Sequence, residues 1–105
     1  MKKLPTQQYL NSRLQYSPIT GILRWLPKPD WWRDTERWNK RYAGEPAGHM
    51  APNGHIQIMV SGERYFASRI IWKMITGYDP PGLITHVNGN HGDNRWENLH
   101  VLQIR

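Results

Sequence analysis

A short apolar run that ends in a histidine, Leu83-Ile84-Thr85-His86, leads into a loop rich in Asn, Gly and Asp, and an Asn98-Leu99 pair then reopens the hydrophobic pattern in Leu99-His100-Val101-Leu102. No other stretch constrains the fold as tightly. Asn88-Gly89-Asn90 and Gly92-Asp93-Asn94 are loop formers, because Asn and Asp side chains bond to their own backbone and, like Gly, tolerate left-handed conformations. The pattern predicts two short strands joined by a polar loop, with His86 at the end of the first strand. Asn98, at the start of the second, can close the loop through side-chain hydrogen bonds.

The segments upstream read as supports for this pair. Thr6 follows Pro5 as the N-cap of a helix whose apolar stripe is Tyr9, Leu10 and Leu14. Turn residues from Ser17 to Gly21 end it, and Ile22-Leu23-Arg24-Trp25-Leu26 makes a strand closed by Pro27 and Pro29. Asp34 to Tyr42 predicts a short polar helix with Trp38 and Tyr42 on one face and Arg37, Lys40 and Arg41 on others. His55 to Val60 alternates as a half-buried strand, Ser61-Gly62 turns, and Glu63 to Ala67 is its hairpin partner. Ser68 to Thr76 reads as a helix capped by Ser68, with Ile71, Met74 and Ile75 inward, Arg69 and Lys73 outward, and Gly77 past its end. Asp79-Pro80-Pro81-Gly82 connects it to the strand ending at His86.

The fold class is therefore small α+β: one domain over residues 1–105, with an N-terminal basic and aromatic segment (1–48) and a hairpin, core helix and terminal motif (54–105). Core candidates are Ile22, Leu23, Ile56, Ile58, Ile71, Met74, Leu83, Leu99 and Val101. Fourteen Lys and Arg against eight Asp and Glu give a net charge of +6, which favours polyanionic partners. The absence of cysteine excludes disulfides, zinc-thiolate centres and cysteine nucleophiles together. Nothing in the sequence predicts a membrane span or a signal h-region, so a soluble, cytoplasmic protein is expected. The aromatics interleaved with basic residues from Trp31 to Trp38 admit two readings. Their rings contact nucleic acid, or they anchor an irregular segment onto a small core.

Phosphodiester hydrolysis needs a base to activate water, a cation to take up charge on phosphate and leaving oxygen, and a fixed geometry between them. An imidazole at the rim of a basic surface suits the first role. On these residues the chain resembles the HNH endonucleases, in particular the phage and prophage type related to homing endonucleases. The resemblance extends to Tyr16-Ser17-Pro18-Ile19-Thr20-Gly21-Ile22-Leu23-Arg24-Trp25, to Trp38-Asn39-Lys40-Arg41-Tyr42-Ala43-Gly44, to Gly54-His55-Ile56-Gln57-Ile58 and to Tyr65-Phe66-Ala67-Ser68-Arg69-Ile70-Ile71-Trp72. It implies a ββα (His-Me finger) site in which His86 is the general base, Asn98 orients the loop and a divalent metal binds the scissile phosphate.

The sequence departs from that family pattern at three positions. Thr85 stands where an aspartate usually ligates the metal, and a neutral hydroxyl is a poor ligand for a hard cation. Ser68 stands in place of the histidine of a His-Arg pair, and the sequence reaches Arg105 before the helix that usually carries the second ligand, so the ββα motif reads as incomplete. Asp93, Asn90 and His91 are the substitute metal ligands the loop offers.

Three functions follow. The first is an endonuclease using Mg²⁺, Mn²⁺ or Ni²⁺. The second is a silent module holding double-stranded DNA through Arg69, Lys73, Arg95, Arg37, Lys40 and Arg41, without a cofactor. The third is a phage-encoded inhibitor that contacts a host protein through Trp31 to Trp38. The sequence does not fix the oligomeric state.

Overall fold

The computed structural model describes residues 3–29 and 31–102. Helix α1, Gln7–Arg13, starts where the Thr6 hydroxyl accepts the Tyr9 amide, the N-cap role the sequence predicts. It ends sooner than the stripe suggests. Leu14 is already extended and opens strand β1, Leu14–Tyr16, which pairs antiparallel with β2, Leu23–Trp25. Leu14 is nonetheless buried, so it serves the core from the strand rather than from the helix.

Helix α2, Thr35–Tyr42, lies where its pattern places it. Two rings of the aromatic segment, Trp32 and Trp38, pack onto the body of the protein. Trp38, Trp32 and Trp25 surround the guanidinium of buried Arg13, with ring centroids 5.1, 5.5 and 5.8 Å from its central carbon. Cation–π attraction of this kind strengthens as water is excluded. Trp31 remains 77% exposed, edge-on to Trp32.

Strands β3, His49–Met50, β4, Ile56–Val60, and β5, Glu63–Phe66, form an antiparallel sheet in the order β3-β4-β5. Ser61 and Gly62, both with positive φ, make the tight turn between β4 and β5, as twisted hairpins require. Helix α3, Ala67–Thr76, begins at the end of β5, and this corrects two expectations. Ser68 is a buried residue inside the helix, and Phe66 holds the cap position without a side-chain bond. Because the inward stripe is Ala67, Ile70, Ile71 and Met74, Ile70 is fully buried and Ile75 turns outward.

Strands β6, Leu83–His86, and β7, Leu99–Leu102, pair antiparallel with His86 opposite Leu99 and Thr85 opposite His100. Alternation along β6 sends Ile84 and His86 inward and leaves Leu83 exposed, which removes Leu83 from the expected core. Ile22 is also exposed, since it precedes β2 and Leu23 takes the inward position. Leu23, Ile58, Ile71, Met74 and Leu99 are buried as expected, joined by Leu10, Leu14 and Ile70, while Ile56 and Val101 are only partly buried. The result is an α+β fold of three helices and antiparallel strands. Among the described residues no helix is long and apolar enough to cross a membrane.

Candidate active site

His86 closes β6 on its inward face and is almost fully buried. Its Nε2 lies 2.9 Å from the Asn94 side-chain oxygen. An amide oxygen only accepts, so Nε2 carries the hydrogen and the lone pair falls to Nδ1. Nδ1 is buried and has no hydrogen-bond partner among the described residues.

Asn98 ends the 3₁₀ turn Trp96–Asn98 that leads into β7. Its oxygen accepts the Asn88 amide at 2.9 Å, and its nitrogen donates to the Asn88 side-chain oxygen at 3.0 Å and the Asp93 carbonyl at 2.8 Å. One buried amide thus holds both ends of the loop. Within it, the Asn88 and Asn90 oxygens accept the backbone amides two residues on, the local bonding expected of these residues.

The N-terminal turn supports the loop from outside. The Tyr16 hydroxyl donates to the Asn94 carbonyl at 2.5 Å, and the Trp96 amide donates to the Pro18 carbonyl at 3.1 Å. Burial, and then the Asp93 charge, push the Tyr16 hydroxyl up to about 12, so it stays a neutral donor. The sequence marks Asn94 as a loop former bonding to its own backbone and points to no partner outside the loop. Its role follows from its backbone being pinned by Tyr16, a contact between residues 78 apart.

His55 is the other residue that sequence reasoning missed. Its ring stacks on His91 with centroids 4.1 Å apart, and His86 meets His55 and His91 at 5.7 and 5.6 Å. Burial first, then the His91 and His86 imidazoles, lower the pKa of His55 below the ordinary histidine value. The unfolded chain therefore binds a proton at this site more readily than the folded one near and below about pH 6.5. Stability from this site is present above that pH and is lost as pH falls through the window beneath it. Thermal unfolding should show a drop in midpoint on acidification that is shallower in His55→Gln, and equal slopes in the two proteins would refute the assignment.

HNH nucleases generally depend on a divalent metal, and the donors present here do not suit one. Thr85 is neutral and directs its hydroxyl at the His100 carbonyl, 3.4 Å away. Asp93, the nearest carboxylate in the loop, is held by Arg95 and by the Asn88 amide, and the Arg95 hydrogen bond keeps its pKa well below the usual carboxylate range. Asn90 bonds its own loop, and His91 is stacked on His55 with Nδ1 3.3 Å from the Asn53 carbonyl. Among the described residues no three His, Cys, Asp or Glu side chains are grouped to hold a metal. Of the three substitute ligands that the loop offers, Asp93, Asn90 and His91, each already has a partner within the protein.

The basic residues differ in availability. Arg37, Lys40 and Arg41 are exposed on α2. Arg95 pairs with Asp93 and Glu97, and Lys73 pairs with Asp79, leaving Lys73 little exposed. Arg69 is half-buried and donates to the Gly82 carbonyl at 3.2 Å.

The α+β fold thus presents a strand, a polar loop and a returning strand, with a buried histidine clamped through asparagines, the arrangement that the HNH resemblance implies. Residues 65–105 match the family model of the HNH endonucleases. The fold is similar to a solved structure described as DNA binding and cleavage by the HNH homing endonuclease I-HmuI, with a TM-score of 0.59, 16% sequence identity, and coverage of 97% of this chain and 53% of that one. The chain spans about half the length of that protein, and at this identity the likeness is one of fold. No curated protein matches the chain. The likeness in sequence thus covers residues 65–105, and the likeness in fold covers nearly all of the chain.

Proposed function

We propose that the protein binds duplex DNA and hydrolyses a phosphodiester bond with His86 as the general base. One observation carries this reading: His86 is fixed through Nε2 to Asn94 while Nδ1 is left with its lone pair unengaged. Nδ1 takes a proton from water, the hydroxide oxygen attacks phosphorus, and the bond from phosphorus to the leaving oxygen breaks, that oxygen keeping the electron pair and taking a proton from solvent. Asn98 acts as a positioning residue by holding the loop that carries Asn94. A net charge of +6 and the exposed Arg37, Lys40 and Arg41 favour the phosphate backbone.

A second reading, a DNA-binding module that does not cleave, is favoured by Thr85 and by the engagement of Asp93 with Arg95. Relaxation of supercoiled plasmid separates the two, run with chelator and with Mg²⁺, Mn²⁺ or Ni²⁺ in turn. Relaxation by the purified protein supports hydrolysis. Folded protein that binds duplex in a salt-dependent way but relaxes no plasmid under any condition would overturn hydrolysis and leave the module. Folded protein that does not bind DNA at all would overturn both.

A further inference from the structure

Beside the histidine cluster, a cleft of about 670 Å³ opens between the β4–β5 hairpin, the start of α3 and the outward face of β6. Its size is that of small-ligand sites, roughly 300–1,000 Å³. The walls are mostly apolar, with His55, Phe66 and the outward Leu83 among the lining residues, and no carboxylate lines it. The His55 and Phe66 rings lie 4.9 Å apart, and Phe66 is 39% exposed. Arg69 also lines the cleft. Burial lowers its pKa against the opposing charge of Asp79, and its guanidinium donates to the neutral Gly82 carbonyl. Arg64 is a second guanidinium in the lining, and the rest of the wall is mainly hydrocarbon, which a duplex backbone alone would leave uncovered. The flat apolar face of a single base, with its phosphate on Arg69, matches the aromatic wall, the half-buried cation and the absence of acids together.

We propose that this cleft seats one unstacked nucleotide, its base against Phe66 and His55 and its phosphate on Arg69, so that the protein prefers DNA carrying an unpaired nucleotide over a perfect duplex. The inference rests on the proposed DNA binding and adds the form of DNA that is bound. Stacking of a base on an aromatic side chain is sequence-tolerant, so the preference follows the unpaired state rather than the identity of the base.

The test is fluorescence anisotropy at one fixed salt concentration, with a short labelled duplex and the same duplex bearing one unpaired thymidine. Wild-type protein should bind the second more tightly by about 5- to 150-fold. Phe66→Ala should lose that preference and keep its affinity for the perfect duplex. Phe66→Leu, which retains volume at this half-exposed position but removes the ring, should behave the same way, and circular dichroism reports the fold of each. Equal wild-type affinity for the two DNAs would overturn the cleft assignment while leaving DNA binding in place, and so would a preference that survives both substitutions. Self-association seen by sedimentation and abolished by Phe66→Ala, with no preference between the DNAs, would assign the cleft to a second copy and overturn the proposal. No binding to either DNA would remove the proposed DNA function, and this inference with it.

Discussion

Replacing His86 with alanine is expected to slow plasmid relaxation by about 10²–10⁴-fold, the contribution of a positioned general base, while leaving affinity for the perfect duplex essentially unchanged. The two readouts separate because the residues proposed to meet phosphate, Arg37, Lys40 and Arg41 on α2, do not include His86. Some stability is lost as well. The Asn94 oxygen loses its one side-chain partner among the described residues, and stranding a buried acceptor costs about 1–3 kcal/mol. The comparison is therefore made at a temperature well below the unfolding midpoint of the variant, with circular dichroism confirming the fold. A variant that relaxes plasmid at the wild-type rate would remove His86 from the mechanism. A variant that also fails to bind the duplex would mean that the loop, rather than the base, had been lost.

Much of this arrangement is legible in the sequence because it is written in local chemistry. Thr6, Gly77 and the Ser61-Gly62 turn act through neighbours a few residues away, so type and spacing are enough to place them. Asn98 is legible for the same reason, since it closes a loop of which it is one end. What escapes is set by packing between distant segments. Pairing with Leu23–Trp25 draws Leu14–Tyr16 out of the helical pattern into a strand. Asn94 becomes a partner of His86 only because Tyr16 fixes its backbone. His55 reaches His91 through the turn before β4, and neither residue carries a signal of the other in its own neighbourhood. Lys73 shares the outer face of α3 with Arg69 in the helical pattern, but the connector brings Asp79 back against it and occupies its charge.

The dependence of the site on the N-terminal turn leads to the second large expected effect, that of Gly21→Ala. Gly21 has φ +77°, and a Cβ built there would lie 2.5 Å from the Arg95 nitrogen and 2.6 Å from the Asn94 carbonyl carbon. Both obstacles are backbone, so no side-chain rotation relieves them. A non-glycine residue in this conformation costs about 1–2 kcal/mol, and forcing atoms into filled space adds about 1–3 kcal/mol. The total expected from urea unfolding is thus about 2–5 kcal/mol. The strain falls on the residue that holds the His86 imidazole, so plasmid relaxation should fall further than the loss of folded protein explains. Gly44 gives the control, because its φ is +82° and nothing lies within 4 Å of an added Cβ. Gly44→Ala should carry the conformational cost alone and leave the rate per folded molecule unchanged. If Gly21→Ala proved no less stable than Gly44→Ala, the turn would not be pressed against the loop. If it were less stable but equally active per folded molecule, the support from Tyr16, Pro18 and Gly21 would serve the fold without setting the geometry of the histidine.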